Sequence, residues 1–280
     1  MTDRRVPARK RFGQHFLEPA WVAKVVQCID PAPGQTFVEI GPGRGALTFS
    51  LLSAGARVIA FEIDRDLTSE LQRRGAPGLR VVQGDFLTVT ADRMREELHQ
   101  ASATGGGVRV AGNLPYNVAS PMLVRLGELS QAGLPLEDAT VMLQRDVADR
   151  VLASPGHKEY GVLTVLVRHV ADATRRLQLP AGAFRPMPKV ESSLVQLRFH
   201  PPYPPVLDGA VFAALTQAIF TRRRKTLANA LRAHKATTPL SPSGALARAA
   251  IDPGRRPETL ELAELARLAD VYATEPSNSR

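Results

Sequence analysis

The chain has 280 residues, 44% of them hydrophobic, with 36 Lys+Arg against 27 Asp+Glu and a formal net charge of +9. That is enough for one large domain and a small one, and a single cysteine, Cys28, excludes an internal disulfide and any metal site needing two thiols, which suits a reducing cytoplasm. No apolar run approaches the roughly 20 residues that span a bilayer, the basic start MTDRRVPARKRFGQ lacks the apolar core of a secretory signal, and the cationic excess without an interfacial anchor favours nucleic acid over a membrane surface.

Residues 1–16 read as a loose basic arm. Glu18 to Ile29 is predicted as a helix, Phe37 to Ile40 as a buried strand, Ala46 to Ser53 as a helix and Arg57 to Phe61 as a second strand. Leu67 to Arg73 is helical, Leu79 to Val82 a third strand, Ala101 to Gly107 a flexible loop, Arg109 to Ala111 a fourth strand and Val141 to Leu143 a fifth. Short apolar strands separated by helices imply a parallel sheet covered on both faces, an α/β fold. Val162 to Val170 and Leu194 to Arg198 are further strand candidates at one edge. The prolines of Pro201-Pro202-Tyr203-Pro204-Pro205 cannot continue a ladder, so this segment is predicted to be a linker. Beyond it Gly209 to Phe220, Lys225 to His234, Ser243 to Ala250 and Leu260 to Tyr272 are helical, and the tail EPSNSR is expected to be disordered. The organisation is therefore an arm over residues 1–16, an α/β domain over 17–204 and a small helical domain over 205–280.

The segment V-E-I-G-P-G-R-G-A-L-T joins the first strand to a helix. Gly41, Gly43 and Gly45 permit positive φ and close approach of a ligand to the backbone, and the next helix begins with free amides. This loop does not discriminate between ligands, since Gly41-x-Gly43-x-x-Ala46 also fits the loose dinucleotide pattern. Glu62, at the end of the second strand, would accept from ribose hydroxyls of either cofactor type. Asp85, after the third strand in G-D-F, would accept from the exocyclic amine of an adenine. With Gly41 these residues mark three successive strand ends, the rim where open α/β sheets bind ligands.

The segment A-G-N-L-P-Y-N follows the fourth strand at the same rim and discriminates between the readings. The N6 amine of adenine is a poor nucleophile because its lone pair is delocalised into the ring. Two acceptors on its hydrogens would localise that pair and aim it at an electrophilic methyl group. Asn113 offers a side-chain oxygen and Leu114 a carbonyl, whose direction Pro115 restricts. Tyr116 would stack on a base taken out of its helix. A nicotinamide enzyme has no use for such an element, so the residues point to methyl transfer from S-adenosylmethionine by positioning and electrostatics. Thr221 to Lys235 carries Arg222, Arg223, Arg224, Lys225, Arg232 and Lys235 with no acid among them. If Lys225 to His234 is helical, this charge opposes the helix dipole, a conflict that a bound RNA phosphate would relieve.

These motifs, with R-K-R-F-G-Q-H-F-L, F-E-I-D-R-D-L, M-L-Q-R-D-V-A-D-R, F-R-P-M-P-K-V-E-S-S and F-T-R-R-R-K-T-L-A-N-A-L, occur in order from about Arg9 to about Ala269. The chain in this respect resembles the small-subunit rRNA adenine N6,N6-dimethyltransferases, the family linked to kasugamycin sensitivity. The resemblance implies a Rossmann-like class I S-adenosylmethionine-dependent methyltransferase domain with a small C-terminal helical domain. It implies dimethylation of two adjacent adenosines near the 3′ end of 16S rRNA in a pre-ribosomal particle, by a cytoplasmic monomer with no metal and no membrane partner. By position it implies that His15, Leu17, Gly41, Glu62, Asp85 and Asn113 hold the cofactor, His15 standing where Asn is commoner, and that Phe184 covers the target base opposite Tyr116. Three alternatives are weighed against it. One is a large-subunit rRNA methyltransferase of the macrolide-resistance type, which the PMPKVESS and RRKTLANAL stretches disfavour. Another is a catalytically dead assembly factor, which intact Glu62, Asp85 and Asn113 disfavour. The last is a dinucleotide oxidoreductase, which N-L-P-Y disfavours.

Overall fold

A computed structural model describes residues 15–101, 106–234 and 240–274. The basic arm up to residue 14, residues 102–105 of the Ala101–Gly107 loop, Lys235 and the EPSNSR tail lie outside the described residues. The chain divides into two compact units, one of Met1–Ala148 with Ala171–Phe199, the other of Asp149–Val170 with His200–Arg280.

A short strand β1 (Phe16–Leu17) of the first unit pairs antiparallel with β8 (Phe184–Arg185) as a separate two-stranded sheet. The main sheet has seven strands: β2 (Thr36–Ile40), β3 (Arg57–Glu62), β4 (Leu79–Gln83), β5 (Val108–Asn113), β6 (Leu136–Gln144), β7 (Ala171–Leu179) and β9 (Ser192–Phe199). Their order is β4-β3-β2-β5-β6-β9-β7. The first five pair in parallel, whereas β9 runs antiparallel between β6 and β7. All five residues of β2 are buried, as a parallel strand covered on both faces requires. Helices α1 (Pro19–Ile29), α2 (Ala46–Ser53), α3 (Arg65–Arg74), α4 (Ala91–Gln100) and α5 (Ala119–Gln131) complete the βα repeat, and α6 (Arg145–Leu152) follows β6 directly. The strand order reverses between β2 and β5, so the topological switch point lies at their carboxyl ends.

Away from the switch point, Arg109 of β5 is nearly buried. Its Nε and Nη2 donate to the two carboxylate oxygens of Asp138 on β6, both at 2.9 Å. Nη2 also donates to the Ile29 carbonyl at 2.8 Å, and Gln196 of β9 donates to Asp138 at 2.7 Å. A buried pair so fully hydrogen-bonded costs little to keep and much to break on one side. It ties the end of α1 to three adjacent strands.

The second unit comprises α7 (Val162–Arg168), α8 (Gly209–Thr221), α9 (Leu227–Ala230), α10 (Pro242–Arg248) and α11 (Leu262–Ala273), packed round Tyr160, Phe212, Leu215, Ile219, Leu227 and Leu268. Three expectations differ from what is found here. Val162 to Val170 is not an edge strand but the helix α7. Its β-branched run favours a strand locally, but Val165 packs in the helical core, and the Thr164 hydroxyl accepts from the Gly161 amide at 3.1 Å to start the helix. The edge strand comes next, in the more polar Ala171–Leu179. Secondly, Asp149–Val170 and the proline segment sit with the helices instead of with 17–204. Tyr203 donates its amide to the His169 carbonyl at 2.8 Å, and His169 Nε2 bonds the Pro204 carbonyl at 2.8 Å, so the prolines are anchored in that unit. Thirdly, Lys225 to His234 is not one helix. It is a four-residue helix, Leu227–Ala230, with a 3-10 turn over Leu231–Ala233.

Candidate active site

Four consecutive strand ends of the first unit meet at one cavity of about 1020 Å³. Its wall includes Glu39, Gly41, Glu62, Asp85, Asn113 and Tyr116. The turn from β2 to α2 uses glycine for a definite reason. Gly45, the N-cap of α2, has φ +81°, and a Cβ there would stand 2.8 Å from the Leu71 side chain. A side chain at Gly45 would need both the left-handed backbone conformation and displacement of Leu71 or Phe49.

Glu62 closes β3. One carboxylate oxygen accepts from the Gly43 amide at 3.0 Å and the other from the Asp64 amide at 2.9 Å. Burial raises its pKa, and those two amide bonds work against the rise. The Gly43 amide, which in a dinucleotide fold would face pyrophosphate, is thus already engaged by a carboxylate. Glu39, on β2, was not singled out from the sequence. It is 2% exposed, and its Oε2 is buried with no hydrogen-bond partner. Desolvation pushes its pKa up to about 8, with the nearby Glu62 charge adding to the rise and Thr48 opposing it. A lone acid in the otherwise apolar T-F-V-E-I was the signal available. Asp85 serves locally as a cap, accepting from the Leu87 amide at 3.0 Å, and also lines the cavity. The carboxyl groups of Glu62 and Asp85, at two successive strand ends on the cavity wall, suit a ligand rich in hydrogen-bond donors. An S-adenosylmethionine, with its ammonium, ribose hydroxyls and adenine amine, has that chemistry, and a pyrophosphate does not.

Asn113 ends β5, and its Nδ2 donates to the His15 carbonyl at 2.7 Å. Because a carbonyl only accepts, this bond settles which way the amide faces and leaves Oδ1 as the acceptor on the other side. Leu114 is buried and its amide donates to the Met142 carbonyl at 3.2 Å, while the Pro115 carbonyl accepts from the Val118 amide at 3.1 Å, closing the turn. Tyr116 shares a hydrogen bond with Ser192 Oγ at 2.9 Å, and burial raises its pKa. The imidazole of His15 stacks on the Tyr116 ring, centroids 5.2 Å apart and planes 23° apart. Its Nδ1 lies 2.6 Å from the Pro186 carbonyl, so Nδ1 carries a hydrogen and donates it there. Leu17 enters the cavity wall from β1.

Phe184 is placed otherwise than the resemblance implied. Its side chain is fully buried in a core with Phe37, Leu179, Ala183 and Leu194, and it is not part of the cavity wall. Phe184 is paired with Leu17 across β1 and β8 and its ring packs in the core, and the ring found against Tyr116 is that of His15. The wall also contains Ile63, Arg44 and Arg74, none of them read from the sequence. Arg44 lies 4.2 Å over the Phe16 ring and Arg74 lies 3.7 Å over Phe49.

In the second unit the basic turn is partly engaged. Arg223 donates to the His157 carbonyl at 2.9 Å and stands 3.8 Å from Glu258. Arg222, Arg224 and Lys225 are exposed. The dipole argument does not hold, because the helix that follows is a single turn and begins only at Leu227. Among the described residues no cluster of three or more His, Cys, Asp or Glu side chains could hold a metal ion. No helix there is long and apolar enough to cross a membrane.

The sheet order, the glycine turn and the acid-lined cavity define a class I S-adenosylmethionine-dependent methyltransferase. Solved structures share the fold. A dimethyladenosine transferase from Plasmodium falciparum superposes with a TM-score of 0.72 at 24% identity, over 91% of this chain and 96% of its own. The 23S rRNA methyltransferase ErmE superposes with 0.60 at 23% identity, over 92% of this chain and 100% of its own. Residues 6–268 match the family model of ribosomal RNA adenine dimethylase, and the chain belongs to that family. Among its relatives are proteins named ribosomal RNA small subunit methyltransferase A. That of Acinetobacter baylyi is 40% identical over 94% of this chain and 92% of its own. That of Xanthomonas campestris is 41% identical over 95% and 96%.

Proposed function

We propose that this chain transfers methyl groups from S-adenosylmethionine to the N6 amines of two adjacent adenosines near the 3′ end of small-subunit rRNA, two on each, acting as a cytoplasmic monomer on a pre-ribosomal particle. The observation that carries the reading is the fixed orientation of Asn113 at a strand end beside Tyr116. When bound, S-adenosylmethionine supplies an electrophilic methyl group. Glu62 would hold the ribose hydroxyls, Asp85 the adenine amine, and Gly41, Gly43, His15 and Leu17 the remaining edges. Asn113 Oδ1 and the Leu114 carbonyl would accept hydrogen bonds from the N–H groups of the target amine and aim its lone pair. Pro115 restricts Leu114, and Tyr116 carries the base. The chain's part is thus to position and polarise, with no covalent intermediate. Mapping N6,N6-dimethyladenine in small-subunit rRNA from cells lacking this protein tests the assignment. Loss of the modified pair is expected, and its persistence would overturn the reading.

The base-carrying role makes a graded demand on Tyr116. Stacking of a base on an aromatic ring contributes roughly 1–3 kcal/mol. Tyr116→Ala should therefore slow single-turnover methylation by about ten- to hundredfold. Tyr116→Phe loses only the bond to Ser192 and should stay within a few-fold of the parent. A severe defect in Tyr116→Phe would assign the work to the hydroxyl instead.

For RNA binding we assign Arg222, Arg224 and Lys225 to phosphate groups, with Arg223 bracing the turn that carries them. Changing the three to Gln should flatten the salt dependence of RNA binding by about 0.7–0.9 in slope for each phosphate no longer neutralised. Cofactor affinity should stay the same. A salt titration with an unaltered slope would move the RNA surface elsewhere, first to the Arg4–Arg11 arm.

A further inference from the structure

The segment between β8 and β9, Pro186-Met187-Pro188-Lys189-Val190-Glu191, presents apolar side chains to solvent in an unusual way. Met187 is 65% exposed and Val190 43% exposed, two of the five large hydrophobics exposed among the described residues. They do not hang on a loose loop. At one end the Pro186 carbonyl bonds the His15 imidazole at 2.6 Å. At the other the Glu191 carbonyl accepts from the Arg145 amide at 3.0 Å, and the Glu191 carboxylate pairs with Arg145 at 3.2 Å. Pro188, between the two, is buried and holds the segment down. Two prolines restrict the backbone further. The segment also stands next to the reaction centre, because the imidazole that bonds Pro186 is the one stacked on Tyr116. Met187 stands between two exposed cations, Lys189 within the segment and Arg185 before it, the latter 3.6 Å from the half-exposed Glu18.

Exposed apolar groups on a braced backbone, between cations and beside a base-receiving ring, match the chemistry of a wedge for stacked bases. Taking an adenine out of a stack leaves a gap whose two neighbouring base faces are apolar. An unbranched thioether chain can enter such a gap, as apolar side chains do in proteins that unstack base steps. We infer that Met187, supported by Val190, fills the space vacated by the target adenine, while Arg185 and Lys189 meet the flanking phosphates. The inference rests on the reading of this chain as a methyltransferase of adenine in RNA. Met187 is on this view a positioning residue, acting on the RNA stack and not on the transferred methyl.

The test uses two readouts. The first is single-turnover methylation of small-subunit particles isolated from cells lacking the protein. The second is fluorescence of a synthetic hairpin of the target region carrying 2-aminopurine at the target adenine, with the full-length protein and S-adenosylmethionine saturating. Unstacking a base costs a few kcal/mol, so removing the compensating side chain in Met187→Ala should slow methylation by about tenfold and abolish most of the parent's fluorescence rise. Met187→Leu should restore both, and Met187→Gln, similar in length but polar, should not. Thermal stability and cofactor affinity should match the parent in all three, because the side chain is mostly in solvent. If the parent methylates the particles and Met187→Ala does so at the same rate, the wedge is wrong and the enzymatic reading stands. If Met187→Ala is slow on particles but leaves the hairpin fluorescence at the parent level, or if the parent gives no rise on the hairpin, Met187 meets a protein of the particle and the wedge is again overturned. A parent that methylates no particle would remove the functional reading, and the wedge with it.

Discussion

Replacing Asn113 by Ala should slow methyl transfer by roughly 10²–10³-fold, the scale seen when one preorganised polar group is removed from the site of charge development. The target amine would keep the Leu114 carbonyl as its only acceptor, and its lone pair would return to the ring. Because Asn113 also lies in the cofactor cavity, the comparison must be made with both proteins saturated in S-adenosylmethionine, each affinity measured separately. RNA binding should change little. Asn113→Asp is a useful second variant. It keeps an acceptor toward the cavity but sets a carboxylate oxygen against the His15 carbonyl, where Nδ2 now donates at 2.7 Å. Its methylation should also be slow, with the carboxylate turned away. A parent-like rate in Asn113→Ala at saturation would show that the amine needs no such acceptor.

Glu62→Ala should weaken S-adenosylmethionine binding by about ten- to hundredfold, the equivalent of one charged hydrogen bond of about 1.5–3 kcal/mol. Two effects combine. The ribose hydroxyls lose their acceptor, and the Gly43 and Asp64 amides lose the carboxylate that orders the glycine turn. Glu62→Gln should not rescue well, since its side-chain NH2 would have to face one of those two amides, donor against donor. Titration calorimetry on folded variants measures the loss. An unaltered affinity in Glu62→Ala would take the ribose contact away from this residue.

The sheet was largely legible in the sequence because its strands are short, mostly apolar and separated by turn residues, as in Phe37 to Ile40 and Arg57 to Phe61. The parts that escaped are those where distant contacts override local preference. Val162 to Arg168 has strand-forming composition and is helical because Val165 is taken into the helical core. Helices α4 and α5 went unread, as did the antiparallel edge strand Ala171–Leu179, whose polar residues give no clean alternation. The same division holds at the candidate site. Glu62 and Asn113 end strands and Asp85 follows one, so chain position alone was enough to place all three on one cavity wall. Glu39 was missed because an acid inside a strand reads as an anomaly until its buried, unpartnered oxygen is found on the cavity wall. Phe184 was placed otherwise because a motif conveys which residue is present but not which way its ring turns, and here the ring packs among Phe37, Leu179 and Leu194.

The bond from Asn113 to position 15 is made to a main-chain oxygen. Every amino acid supplies that oxygen, so the orientation of the Asn113 amide is insulated from mutation of the side chain that lies beside it. Position 15 can therefore carry an imidazole, or another side chain, without disturbing that bond, provided β1 stays paired with β8. The side chain there is left open to adaptation, and in this chain it has been used to join Tyr116 to the Pro186 carbonyl. Variation at residue 15 should accordingly tune how firmly the base platform is braced, while the geometry of the amine's acceptor is inherited from the backbone.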